Sequence, residues 1–147
     1  MKKLLTIDAS VFVSVFNDHE VQHEVSKNFL EEVTGGRYEI FVPIVTLFEV
    51  LQSFFRITGD SKAKADVLEK FIDWNIEGNL TILPIEAEFL AYFSAHHEKF
   101  DLKTADSMIA LTALKENSTL ITWDEKLLKQ SSKFVKSQTP KQFVANL

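Results

Sequence analysis

The sequence predicts a three-layer α/β/α fold around a short-stranded parallel sheet, and three observations carry that expectation. Apolar runs of three to five residues alternate with longer segments of helical periodicity. The runs show little polar alternation, as strands buried on both faces require. Only 4 Gly and 3 Pro interrupt 147 residues, so the chain is built of regular elements. This length fits one domain over residues 1–147, and no repeat, low-complexity tract or linker divides it.

Leu4 to Ile7 is the first strand, ending in Asp8, and a compact helix follows from Ser10. A second helix is expected from roughly His19 to Val33, with Val21, Val25, Phe29, Leu30 and Val33 near one face and Gly35-Gly36 stopping it. Ile40 to Val42 is a strand closed by Pro43. Helix returns from Ile44 to Ile57 and breaks at Thr58-Gly59-Asp60. Another helix fits Ser61 to Ile76, where Ala65, Leu68, Ile72 and Ile76 recur at helical spacing. Asn79 to Leu83 is a strand, and Ile85 to His97 a helix that buries Phe89, Leu90 and Phe93. Thr104 to Asn117 is a helix with Ile109, Ala113 and Leu114 on one side. Thr119 to Thr122 is a strand, Asp124 to Lys129 a helical turn or two, and Lys133 to Val135 a late edge strand.

The absence of cysteine excludes disulfides, thiolate metal sites and cysteine nucleophiles. Met1 to Leu5 is too short an apolar run for a signal peptide, and no window reads as a membrane span, so a cytoplasmic protein is expected. Hydrophobic residues at 46% and charged residues at 25% fit a globular chain with a core enriched in its 13 Phe. A net charge of −5 argues against wrapping nucleic acid through a uniformly basic surface. It leaves a nuclease open, because setting four acids aside for metal leaves 17 acids against 16 bases. Lys126, Lys129, Lys133, Lys136 and Lys141 form an acid-free tail that either edges a phosphate groove or is simply solvated.

Four acids stand at informative places. Asp8 follows a core strand, at the edge where open α/β sheets place ligands. Asp124 follows the strand core Leu120-Ile121. Each, alone, is equally well explained as a helix N-cap. Asp106 lies in the first turn of its helix, three residues from Ile109, and so projects from the buried stripe. Glu49 is surrounded by Ile44, Val45, Leu47, Phe48, Val50 and Leu51, where an unpaired charge is costly to bury. A Thr46–Glu49 capping box is the rival explanation, disfavoured because Pro43 starts the helix before Thr46. Converging carboxylates raise one another's pKa, and a hard cation such as Mg²⁺ or Mn²⁺ relieves that repulsion. Such a site suits phosphodiester hydrolysis.

Two patterns mislead. His19-Glu20-Val21-Gln22-His23 matches the H-E-x-x-H zinc motif but starts at a helix mouth and lacks a third ligand. An Asp after the first strand also suits a haloacid-dehalogenase-type phosphatase, but that chemistry wants a second Asp where Ser10 stands. Gly-rich phosphate loops are absent.

Leu5-Thr6-Ile7-Asp8-Ala9-Ser10-Val11-Phe12 resembles the opening motif of PIN domains. Val42-Pro43 followed by Glu49-Val50-Leu51 resembles their helical glutamate, Thr104-Ala105-Asp106-Ser107-Met108-Ile109-Ala110 their third acidic motif, and Leu120-Ile121-Thr122-Trp123-Asp124 the fourth. Thr139-Pro140-Lys141-Gln142-Phe143 is similar to the family's last segment. The resemblance covers nearly the whole chain in order and implies a PIN-like, Rossmann-like fold. It implies metal-dependent RNA cleavage and frequent homodimers. Small stand-alone members resemble the toxin of VapBC-type toxin–antitoxin pairs, in which a cognate antitoxin wraps the toxin. By position, Asp8, Glu49 and Asp106 form the primary metal site, and Asp124 completes it directly or through water. Thr122 is similar to the family's hydroxyl residue near the fourth acid, suited to orient water or a carboxylate. Ser10 is an ordinary residue at a helix start, and Trp123 is bulkier than the residue expected beside Asp124.

The expectation is therefore a Mg²⁺- or Mn²⁺-dependent endoribonuclease that leaves a 5′-phosphate and a 3′-hydroxyl. An RNA-maturation nuclease and a noncatalytic PIN-like interaction module are the alternatives. Exposed positions between Gln22 and Gln52 are the expected dimer and antitoxin surfaces.

Overall fold

A computed structural model describes residues Met1–Leu147. Five parallel strands form one sheet: β1 (Lys3–Ile7), β2 (Tyr38–Pro43), β3 (Thr81–Leu83), β4 (Thr119–Ile121) and β5 (Ser137–Gln138), in the order β3-β2-β1-β4-β5. Eight helices connect and cover them: α1 (Ala9–Phe16), α2 (His23–Val33), α3 (Ile44–Thr58), α4 (Ser61–Ile76), α5 (Ala87–His96), α6 (Thr104–Lys115), α7 (Glu125–Ser131) and α8 (Pro140–Ala145). A 3₁₀ turn at His97–Lys99 follows α5. This is the three-layer α/β/α arrangement that the apolar runs predict. No helix is long and apolar enough to cross a membrane.

β1 lies between β2 and β4, pairing Leu5 with Ile40 on one side and with Thr119 on the other. The chain therefore runs outward from β1 through β2 and β3, then returns to start the other half at β4. The crevice at the carboxyl ends of β1 and β4 is the topological switch point, where open α/β sheets bind ligands.

Burial on both faces follows from the period of the strands. Ile121 joins a core with Phe12, Phe29, Val50 and Phe71, whereas its neighbour Leu120 joins a second core with Ile109, Leu111 and Leu127. Phe71 is the hub of an aromatic cluster, with ring centroids 4.8 Å from Phe12, 5.9 Å from Phe16 and 5.5 Å from Trp74. Through it α4 is fastened to α1, which begins next to Asp8.

Several sequence expectations need correction. The second helix begins at His23, not His19, because Asn17 organises a turn: its Oδ1 accepts from the His19 amide and its carbonyl from the Glu20 amide. Val21 in that turn is 94% exposed. On α4 the buried face is Val67 and Phe71, while Ala65, Leu68, Ile72 and Ile76 face outward, since the aromatic cluster claims the other stripe. Leu90 on α5 is likewise exposed, and Phe89 and Phe93 are only partly buried. The late edge strand is Ser137–Gln138, four residues beyond Lys133, because the Phe134 and Val135 amides both turn back to the Ser131 carbonyl. Helix α8 has no counterpart among the expected elements, although a Thr139–Gln142 capping box with Pro140 marks its start.

Candidate metal centre

Asp8 leaves the end of β1 and caps α1, so one residue serves both the sheet edge and the helix start. Its Oδ2 accepts hydrogen bonds from the Ser10 hydroxyl at 2.7 Å, the Thr122 hydroxyl at 2.8 Å and the Ser10 amide at 3.4 Å. The Asp8 amide donates to the Ile121 carbonyl at 3.0 Å, which locks the β1–β4 crevice at its base. Thr122 is fully buried, and its hydroxyl also accepts from the Asp124 amide at 3.0 Å. The two hydroxyls thus fix the rotation of one carboxylate.

Glu49 arrives from the second turn of α3 and Asp106 from the first turn of α6, two helices that pack against each other. Carboxylate oxygens of Asp8, Glu49 and Asp106 all lie within 4.8 Å of one another. Asp124 lines the same cleft, with Ser10, Ser53 and Trp123. It is exposed and caps α7 by accepting from the Leu127 amide at 2.8 Å. The N-cap role and the place at the acidic cleft therefore coincide in both Asp8 and Asp124.

The electrostatics express the crowding. Burial pushes the Asp8 carboxyl above its ordinary range against the opposing hydrogen bonds of Ser10 and Thr122. Glu49 rises to about 7, first by burial and then by the charges of Asp8, Asp106 and Asp124. Asp106 rises to about 6, by burial and the charges of Asp8 and Asp124, with Lys103 and Lys126 pulling the other way. Neither lysine forms an ion pair with any of these acids. Lys103 lies only three residues before Asp106, so a base stands near the acids in sequence. Lys126 is the member of the basic tail that acts on the cleft, and Lys129, Lys133, Lys136 and Lys141 are solvated.

The donor set fits a hard divalent cation. It is all oxygen, three carboxylates converge, and the buried Oε1 of Glu49 has no hydrogen-bond partner. A cation held by these residues would offset their mutual repulsion, whereas a proton does so only by neutralising the ligand.

Ser10 is the residue that sequence reasoning undervalued. Its hydroxyl donates to Asp8 and accepts from the Trp123 amide at 2.9 Å. The signal was available: an Asp capping a helix through the amide two residues on brings that residue's side chain to its own carboxylate. Trp123 turns its indole N–H to Ser26 Oγ at 2.7 Å, so its bulk is anchored on α2. The H-E-x-x-H pattern forms no zinc site, because His19 is exposed in the turn beside Asp18 and His23 Nδ1 is engaged by the Ser14 carbonyl at 2.9 Å.

Comparisons with known proteins bear on the fold and the family. A chain of VapBC2 from Rickettsia felis, in a complex bound to a promoter DNA fragment, superposes with a TM-score of 0.67 at 18% identity, covering 92% of this chain and 98% of that one. Mycobacterium tuberculosis VapC20, a sarcin–ricin loop cleaving toxin, superposes with a TM-score of 0.68 at 12% identity, covering 90% and 97%. A chain of a toxin–antitoxin complex from Klebsiella pneumoniae gives 0.64 at 17% identity, covering 92% and 97%. At these identities the likeness is one of fold. No curated protein matches the sequence. The sequence profile of the PIN domain matches residues 5–132, and the chain belongs to the PIN-domain family.

Proposed function

We propose that this protein is a divalent-metal-dependent endoribonuclease and the toxin of a VapBC-type toxin–antitoxin pair. The observation that carries the nuclease reading is the convergence of Asp8, Glu49 and Asp106 oxygens within 4.8 Å at the switch-point crevice. Asp8, Glu49 and Asp106 hold the cation, Mg²⁺ or Mn²⁺, and Asp124 flanks it from the rim of the cleft. When bound there, such a cation supplies an activated water and charge neutralisation for phosphodiester hydrolysis. Thr122 and Ser10 are positioning residues, because they touch Asp8 and aim its carboxylate. Lys103 and Lys126 supply the positive charge near Asp106 that steers a phosphate backbone toward an otherwise acidic cleft.

The toxin assignment is supported by the solved structures of similar fold, several of which are toxin–antitoxin complexes. For the antitoxin and homodimer surfaces, Phe48 lies within the expected Gln22–Gln52 stretch, and α4 extends it. Exposed apolar side chains lie on α3 and α4, at Phe48, Phe55, Leu68, Ile72 and Ile76, rather than on α2.

The test is cleavage of a mixed RNA panel by purified protein with Mg²⁺ or Mn²⁺, beside EDTA and Asp8→Asn controls. Cleavage lost in both controls, with 5′-phosphate and 3′-hydroxyl ends, is expected. A 2′,3′-cyclic phosphate end overturns the hydrolytic mechanism. Absence of both cleavage and calorimetric metal binding overturns the nuclease reading in favour of a noncatalytic interaction module.

A further inference from the structure

Trp123 enters the acidic cleft with its polar edge turned inward. A half-buried aromatic side chain with a polar tip ordinarily buries its hydrocarbon and leaves the tip wet. Here the order is reversed. The indole Nε1 donates to Ser26 Oγ at 2.7 Å, and Ser26 is fully buried on α2, where its hydroxyl also meets the buried Ser14 hydroxyl at 2.6 Å. What the half-buried side chain leaves accessible is therefore carbon, and Trp123 is the one aromatic residue lining the cleft that holds Asp8, Glu49, Asp106 and Asp124. Its backbone amide donates to the Ser10 hydroxyl at 2.9 Å, the same hydroxyl that holds Asp8. Main chain and ring are thus both fixed to the frame of the site. Trp74, the other indole, is instead enclosed: it stacks on Phe16 with ring centroids 6.0 Å apart, meets Phe71 edge-on at 5.5 Å and carries the Lys70 ammonium 5.5 Å over its face, whereas no ring or cation stands against Trp123.

We propose that the indole of Trp123 is a platform on which a nucleobase of single-stranded RNA stacks when the attached phosphate occupies the acidic cleft. The proposal rests on the nuclease reading of that cleft and names how its substrate is gripped. With its N–H already engaged, the indole reads no base edge and offers a π-face, which every base can use. The cleft lacks another attraction of this kind. Its carboxylates repel a phosphate backbone, and stacking adds affinity that does not depend on charge. A ring held in place before the base arrives also loses little freedom on binding.

The chain has 2 Trp, so Trp74→Phe leaves Trp123 as the single indole reporter. In Mg²⁺, the fluorescence of this variant is titrated with adenosine 5′-monophosphate and with ribose 5-phosphate, which share the phosphate, differ by the base and contain no internucleotide bond to cleave. The nucleotide is expected to quench Trp123 and to bind about 10-fold more tightly than the sugar phosphate. Calorimetry on wild type reads the same ratio without a substitution at Trp74. Trp123→Phe, which keeps a ring, is expected to retain part of the preference, and Trp123→Leu to abolish it. The ratio of the two affinities is a readout that a purely structural role of Trp123 does not move. Equal binding of the two ligands, binding of neither, or a preference that survives Trp123→Leu overturns the platform. The nuclease reading is judged separately, by metal binding and RNA cleavage: a protein that cuts RNA without base preference keeps that reading and loses the platform. One that neither binds metal nor cuts, but loses its base preference in Trp123→Leu, keeps the platform alone.

Discussion

At Asp8 two effects oppose each other: burial disfavours its charge, and the hydroxyls of Ser10 and Thr122 restore part of it. Removing one of those donors exposes the balance. Thr122→Val is expected to lower stability by about 1–3 kcal/mol, since it also strands the Asp124 amide. It should weaken Mn²⁺ binding by about 10-fold or more, measured by urea unfolding and calorimetry respectively. Glu49 and Asp106 make a pH prediction. Both carboxyls hold protons in the folded state to higher pH than their ordinary values of 4.5 and 3.8, so the folded form binds more protons between those values and about 7 and 6. Metal-free stability therefore falls as pH rises through that window. Glu49→Gln should raise the metal-free unfolding temperature at pH 8 by roughly 2–4 °C for each kcal/mol recovered, with the gain vanishing near pH 4. A pH-independent difference between Glu49→Gln and wild type, by scanning calorimetry, contradicts this electrostatic account. Of these residues, Glu49 was the most legible in sequence, because an acid amid Leu47, Phe48, Val50 and Leu51 demands a partner. Ser10 reads as an ordinary helix-start residue unless the cap that Asp8 offers is followed through to its side chain, which the cap brings to the carboxylate.

Among the elements, α1 and α4 show how position is transmitted to the site. Phe71 fastens α4 to Phe12 and Phe16 of α1, the helix that Asp8 caps. Phe71→Ala is expected to cost about 3–5 kcal/mol in chemical unfolding, and a cost below 1 kcal/mol would mean the cluster is not the anchor described. Helix α7 tests the dual role of Asp124. Asp124→Ala removes its cap and should cost about 1 kcal/mol, whereas Asp124→Asn preserves the cap, so a loss of cleavage in the Asn variant isolates the charge. Sequence periodicity located seven of the eight helices, but it chose the wrong face of α4. Two apolar stripes coexist there, and only the aromatics of α1 determine that Val67 and Phe71 turn inward. The short β5 escaped because a two-residue strand has no period to read.

Across the whole molecule, the order β3-β2-β1-β4-β5 gathers acids separated by 116 positions, from 8 to 124, at one sheet edge. The fold thereby concentrates repulsion in a chain whose net charge is only −5. Cation binding should consequently act as a global stabiliser. At free Mn²⁺ one hundred times its Kd the gain is about 2.7 kcal/mol, a rise of roughly 5–10 °C in Tm that EDTA reverses. An unchanged Tm across a Mn²⁺ titration argues against a site that binds only the folded state.

The sequence by itself determined the α/β class, the order of acidic motifs and the family resemblance, because strand and helix periods and residue types at element ends are local properties. The tertiary structure decided which acids meet. Asp8, Glu49 and Asp106 converge because parallel strand pairing and the packing of α3 on α6 are long-range contacts that no local pattern encodes. It also decided that Asp124 stands at the exposed rim as a helix cap, and that Thr46 and Glu49 leave polar atoms unpaired in the interior. Hydrogen-bond satisfaction is a property of three-dimensional neighbours, and the sequence names the donors and acceptors without saying which will find each other.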